Sequence, residues 1–192
     1  MERFFDIFFS GLALLVLSPL LAPIVLILKF SGEGEIFFLQ ERIGKGGKVF
    51  KLLKFATMLK DSPNIGSGTV TMKGDPRVLP AGKFLRKTKI NELPQLFNVL
   101  IGDMSIVGPR PHAVDHNEYY RKKITGYMQR HSLKPGITGL AQVHGLRGET
   151  KTIEDMQKRV ENDLNYVNDW DLILDLKILL RTIRLLLTNT SY

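Results

Sequence analysis

No cysteine occurs in the 192 residues. That excludes a disulfide framework and a Cys-based zinc site, and it fits a reducing compartment. There is no internal repeat and no low-complexity tract. With 44% hydrophobic residues, a disordered chain is excluded too. Acidic residues are the scarcer charge: 19 Asp plus Glu stand against 27 Lys plus Arg, a formal net charge of +8. The imbalance suits an anionic partner, whether nucleic acid, acidic lipid or a phosphorylated substrate, without choosing among them. The length suits one domain with a sizeable core.

A second absence is local. From Ile7 to Leu28 there is no charged residue. As helix, those 22 residues would span roughly 33 Å at about 1.5 Å per residue, enough to cross a bilayer core. A cleaved signal peptide fits poorly: Glu2 and Asp6 accompany the single Arg3, and no A-x-A site follows. A spanning helix and a re-entrant helix remain, and the re-entrant one is preferred because Ser18-Pro19 and Pro23 interrupt the run. Each proline removes a backbone donor and leaves a carbonyl that hydrocarbon cannot satisfy, a need the Ser18 hydroxyl can meet. The basic residues that follow (Lys29, Arg42, Lys45, Lys48, Lys51, Lys54) place the remainder on the cytoplasmic side. The expected organisation is a re-entrant membrane helix over 1–30 and a cytoplasmic-face catalytic domain over 31–192. No nucleic-acid-binding motif accompanies the charge, and such a role leaves the apolar run unexplained, so nucleic acid is not an expected partner.

Glu35–Gln40 and Lys48–Phe55 read as short strands, and Lys60–Pro80 reads as a loop. Ala81–Lys89 reads as a basic helix, and Leu93–Leu100 as a short apolar segment opened by Pro94. Gly102–Pro111 is turn-rich, a helix is expected from Val114 toward Ile124, and Pro135-Gly136 with Gly139 marks another loop. Thr152, with Asp155 three residues on, can cap a helix whose apolar stripe is Ile153, Met156, Val160, Leu164 and Val167. The last helix, Asp171–Leu187, is apolar on most sides, with Asp175, Lys177, Arg181 and Arg184 between. Core packing is its plain reading; lying in a membrane interface is the sharper one. The fold class is α/β or α+β: a small membrane-associated domain with short strands and interfacial amphipathic helices.

The block richest in chemistry is Lys87–Pro111. Two carboxylates, Glu92 and Asp103, lie among Arg86, Lys87, Lys89 and Arg110. Magnesium takes one or two carboxylates plus phosphate oxygens, and Arg grips phosphate bidentately, so phosphoryl transfer fits. A solvated, salt-bridged surface fits about as well. His112 and His116 stand one helical turn apart, but no third ligand has the spacing for a metal site.

Several motifs in one order carry a resemblance: Ser18-Pro19, Lys54–Met58, Glu92-Leu93-Pro94-Gln95, Gly102–Ser105, Gly108–Pro111, Lys134–Gln142 and Asp175–Lys177. Through them the chain resembles the monotopic phosphoglycosyl transferases, or bacterial sugar transferases, over nearly its whole length. It looks like the minimal catalytic unit, since larger relatives carry further segments ahead of it. Gly145–Thr150 and the histidines look like the undecaprenyl-phosphate hexose-1-phosphate transferase branch.

The resemblance implies a function. A carboxylate attacks the β-phosphorus of a UDP-sugar and UMP leaves. Polyprenol phosphate then takes the phosphosugar, as the first membrane step of exopolysaccharide, capsule or O-antigen assembly. The implied cofactor is Mg2+. The implied partners are the UDP-sugar, polyprenol phosphate and the lipid bilayer of the bacterial inner membrane at its cytoplasmic face; a homodimer is left open. The family's catalytic pair is Asp-Glu. Glu92 matches as magnesium ligand, and Asn91 stands where the family has its nucleophilic Asp. By the same resemblance, Lys54, Arg86 and Asp163 hold the nucleotide sugar and Arg110 a phosphate. The rival reading that Asn91 invites is a catalytically impaired membrane scaffold for a glycan assembly complex.

Overall fold

A computed structural model describes residues 2–30, 35–59, 75–148, 150 and 152–188. Helix α1 runs from Glu2 to Phe30 with Pro19 and Pro23 inside it. Pro19 has no N–H for the carbonyl of Leu15, and the Ser18 hydroxyl donates to that carbonyl at 2.7 Å. The helix is long and apolar enough to cross a membrane, and it leaves Phe4, Phe8, Leu12, Leu15, Val16 and Leu20 exposed.

Both ends of α1 are tied to the rest of the chain. At one end, Arg3 donates to the carbonyls of Val99 and Leu100, each at 2.5 Å. Asp6, 3% exposed, accepts from the Ser105 hydroxyl and the Ile106 amide, each at 2.9 Å. At the other end, Ile24 and Leu28 pack on Phe55 and Leu85.

Strands β1 (Phe37–Ile43) and β2 (Val49–Phe55) form an antiparallel hairpin, with Phe37 opposite Phe55 and Ile43 opposite Val49. A 3-10 turn at Lys45–Gly47 joins them. β1 extends past the expected Gln40 because Glu41, Arg42 and Ile43 pair with Lys51, Phe50 and Val49 of β2. Beyond the hairpin, the Ile43 amide also donates to the His112 carbonyl at 3.2 Å, and Arg42 bridges Ala113. Of the loop expected over Lys60–Pro80, residues 60–74 lie outside the described residues; 75–79 form a turn closed by an Asp75–Arg77 ion pair.

Helix α2 (Pro80–Lys87) starts on a proline, whose missing donor costs nothing at that position. Helix α3 (Gln95–Ile101) stops at Gly102, which takes the left-handed conformation (φ 100°). Strands β3 (Ser105–Val107) and β4 (Gly136–Thr138) pair in parallel. The sequence marks both segments as loops, because their turn residues mask three-residue strands. Those glycines serve close approach: a Cβ on Gly136 would fall 2.1 Å from the Gly108 nitrogen. The Gly108–Pro111 and Lys134–Gln142 motifs are thereby locked backbone to backbone.

Helix α4 (Val114–Arg121) is followed by a 3-10 segment at Tyr127–Ser132, and helix α5 is short (Leu140–Val143). Helix α6 (Ile153–Asp169) opens with a complete capping box between Thr152 and Asp155. Its Met156 and Val160 form a core cluster with Ile124 and Tyr127. Helix α7 (Leu172–Leu187) divides its faces: Ile178 is buried against Val107 and Tyr166, while Ile173, Leu176, Leu180, Ile183 and Leu187 are exposed. The architecture is a mix of helices with two separate two-stranded sheets among the described residues.

Candidate active site

Local backbone chemistry sets the position of Glu92. Lys89 adopts left-handed φ/ψ (62°, 9°), the one positive φ at a non-glycine residue among those described. Such a conformation is uncommon for a side-chain-bearing residue and marks a place worth inspecting. It turns the chain into a 3-10 segment, Ile90–Glu92, and Pro94, fully buried, caps α3 immediately after. Asn91 and Glu92 therefore sit on a short, fixed corner between α2 and α3.

Lys54 comes from the end of β2. The Asn98 side chain on α3 holds that strand, donating to the Lys51 carbonyl at 2.8 Å and accepting from the Leu53 amide at 2.9 Å. Arg110 comes from the tight segment after β3. Arg42 on β1 donates to the Pro111 carbonyl at 3.2 Å and so clamps the hairpin against that segment. Arg147 comes from the loop after α5.

These side chains meet at Glu92, itself 16% exposed at the side chain. Arg110 Nη2 reaches Glu92 Oε1 at 2.5 Å and its Nη1 reaches Oε2 at 3.4 Å, a forked contact. Lys54 Nζ lies 4.0 Å from Oε1, and Arg147 Nη2 lies 3.4 Å from Oε2. Burial pushes the Glu92 carboxyl up, but Arg110, Lys54 and Arg147 outweigh burial and hold it at about 2. Lys54 shows the converse. Burial lowers it to about 7 despite Glu92, with Arg42, Arg110 and Arg86 adding to the depression. Burial and the neighbouring Arg110 likewise bring Arg42 to about 10.

Behind this centre lies a second pair. Arg130 is 1% exposed and donates to Asp163 Oδ2 from Nε (2.9 Å) and Nη2 (2.5 Å). Nη2 also donates to the Arg110 carbonyl at 2.7 Å. Asp163 is thus buried and linked to the Glu92 centre through Arg130 and the Arg110 backbone.

Of the residues singled out from sequence, the structure brings together Glu92, Lys54 and Arg110, with Asn91 beside them in the chain. Arg86 stands at the margin, its Nε donating to the Thr57 hydroxyl at 2.8 Å. Asp103 accepts a long hydrogen bond from Asn98 (3.5 Å). No ion pair or hydrogen bond joins Asp103 to Glu92 among the described residues. His112 is a core residue: it is 5% exposed, its Nδ1 meets the Tyr127 hydroxyl at 2.5 Å, and burial holds it well below the usual imidazole range. No group of three or more His, Asp or Glu side chains fit for a metal occurs among the described residues. Sequence reasoning missed Arg42, Arg130 and Arg147 as members of the centre. Only Arg147 carried a signal, as the one cation between the two glycines of Gly145–Gly148.

A family model described as "Bacterial sugar transferase" matches residues 1–189, and the chain belongs to that family. It is 50% identical over 184 residues to a UDP-glucose:undecaprenyl-phosphate glucose-1-phosphate transferase of Klebsiella pneumoniae, a match covering 95% of this chain and 39% of that protein. A protein of the same name from Caulobacter vibrioides is 46% identical over 192 residues, covering 99% of this chain and 71% of that one. A UDP-N-acetylgalactosamine-undecaprenyl-phosphate N-acetylgalactosaminephosphotransferase of Aeromonas hydrophila is 39% identical over 188 residues, covering 98% and 44%. The chain thus spans about two fifths of the length of several relatives it matches.

Proposed function

We propose that the chain transfers a sugar-1-phosphate from a UDP-sugar to polyprenol phosphate, undecaprenyl phosphate in bacteria, and releases UMP. The step would begin exopolysaccharide, capsule or O-antigen assembly. The charge imbalance at Glu92 carries this reading: Lys54, Arg110 and Arg147 converge on one carboxylate, and Arg42 adds its charge from nearby. Such a surplus is repulsive when the site is empty and favourable once a diphosphate enters. Relatives named for UDP-glucose and UDP-N-acetylgalactosamine transfer to undecaprenyl phosphate support the substrate classes.

In the covalent route, a carboxylate oxygen attacks the β-phosphorus and the bond to the bridging oxygen breaks. UMP departs with that bond's electron pair. An oxygen of the lipid phosphate then attacks the same phosphorus and frees the carboxylate, giving polyprenol diphosphate sugar. Arg110 and Arg147 would grip phosphate oxygens, and Lys54 would gain its full charge as the anion arrives. Arg86 would bind at the margin of the nucleotide sugar. Asp163 would act on it at one remove, holding Arg130 and thereby Arg110. Position 91, where the attacking carboxylate belongs, is an amide in this chain. A neutral amide oxygen is a poor nucleophile, so the covalent step is impaired.

Magnesium fits the donor set. Glu92 stays ionised down to pH of about 2, and a hard cation accepts one carboxylate when phosphate oxygens complete its shell. Glu92 would hold it, and when bound it would offset negative charge between the two anionic reactants. Screening UDP-sugars for magnesium-dependent UMP release, with undecaprenyl phosphate present, tests the assignment. Release that is absent with every sugar, in both this chain and its Asn91→Asp variant, would overturn it.

The same reading places α1 as a re-entrant helix, with the domain on the cytoplasmic face of the inner membrane. Its support is that both ends of α1 grip one domain while the apolar middle is exposed. Helix α7 would lie in the interface. Its exposed Ile173, Leu176, Leu180 and Ile183 follow a helical stripe, with Lys177, Arg181 and Arg184 to meet lipid phosphates. Cysteines placed at position 2 and near Ser67 and labelled in intact cells should both resist an impermeant reagent; labelling of position 2 from outside overturns the re-entrant helix.

A further inference from the structure

Helix α6 carries two residues, Arg159 and Asp163, four positions apart and so on one face. Asp163 holds Arg130, which holds the Arg110 carbonyl at 2.7 Å. Arg159 makes the matching hold on the other side. Its Nη2 donates at 2.6 Å to the carbonyl of Gly148, the residue next to Arg147. The two arginines so supported both reach Glu92, Arg110 on both oxygens and Arg147 on Oε2.

Arg159 stands in a largely cationic neighbourhood. Burial lowers it and Arg110 and Arg130 repel it; Asp163, which already accepts from Arg130, and Tyr120 offset this in part. Its Nε is buried without a hydrogen-bond partner. A half-buried charge in such surroundings costs stability. The neighbouring glycines make the support necessary. Gly145 has φ +81°, and neither it nor Gly148 has packing atoms where a Cβ would point. On the near side the loop is held by the Leu146 amide on the Ala141 carbonyl at 3.0 Å. On the far side of Arg147 the hold among the described residues is the one from Arg159.

We propose that Arg159 is a positioning residue: through the Gly148 carbonyl it aims Arg147 at the diphosphate of the substrate. The inference rests on the nucleotide-sugar reading above. A double-mutant cycle on the full chain in lipid nanodiscs tests it, reading UDP affinity by calorimetry with magnesium present. Arg147→Met is expected to weaken UDP roughly ten- to hundredfold, as loss of a charge-assisted contact does. Arg159→Met is expected to weaken it several-fold, Arg159→Lys less, and Arg147→Met with Arg159→Met no more than Arg147→Met alone. That sub-additivity separates aiming from general damage, because independent losses add. Full additivity, or an Arg159→Met protein that binds UDP as the parent does, overturns the role of Arg159 while leaving the substrate reading intact. A parent that binds no UDP overturns both.

Discussion

Glu92 and Asp163 are both buried carboxylates held by arginine, yet their acidities move in opposite directions. At Asp163, 2% exposed, burial pushes the carboxyl up against the pull of Arg130. At Glu92 burial pushes the same way, but Arg110, Lys54 and Arg147 together carry it down to about 2. The number of cations reaching the carboxylate decides the outcome, Arg159 adding only the smallest pull at Asp163. One guanidinium per carboxylate makes a dry, closed pair that fixes geometry. Several cations per carboxylate leave charge unspent, and unspent charge is available to a ligand. The contrast separates the part of the centre that builds from the part that binds.

Breaking the closed pair should have the largest effect. Asp163→Asn leaves a buried guanidinium without its counterion and should cost about 3–5 kcal/mol of stability, read as a clear fall in thermal midpoint. A midpoint near the parent's would show that the pair is not structural. Breaking the open cluster should strike activity instead. In an Asn91→Asp background, Glu92→Gln should lower magnesium-dependent UMP release on the order of a hundredfold, about 2.7 kcal/mol. Turnover close to that background's would overturn Glu92 as the proposed magnesium ligand. Asn91→Asp itself should raise UMP release by more than about tenfold, or 1.4 kcal/mol. It should also let a phosphosugar adduct appear by mass spectrometry when the lipid is absent. No gain in a briskly active parent would move the search for the nucleophile elsewhere.

The smallest effect is a pH dependence. A carboxyl held below its ordinary value of 4.5 stabilises the fold fully above that value, and the contribution fades as pH falls through about 2. The stability gap between the parent and Glu92→Gln should therefore be widest near neutrality and close between pH 4.5 and 2. A gap that persists unchanged to pH 2 would show that charge is not its source.

Much of the fold was legible where a segment's pattern matches its own local need. Thr152 and Asp155 announce the start of α6, and the 3.6-residue stripe of Met156 and Val160 announces its buried face. Ser18 beside Pro19 foretold a carbonyl needing a donor. Strands β3 and β4 stayed hidden because they are three residues long and their reason lies in each other: Gly108 and Gly136 are small to admit a partner strand, which sequence shows only as turns. The site divides likewise. Glu92, Lys54 and Arg110 belong to motifs with recognisable order. Arg42, Arg130 and Arg147 become members only through backbone holds from distant segments, and a lone arginine carries no mark of the carbonyl it will find.

The Asp6 clasp has a consequence in time. Its hydrogen-bond donor Ser105 lies 99 residues further along the chain. At roughly 5–20 residues per second of synthesis, α1 exists for about 5–20 s before that donor is made. Throughout the interval the Asp6 carboxylate lacks both of its donors. The domain can therefore be fastened to the helix only once Ser105 and Ile106 have been made and can close the clasp.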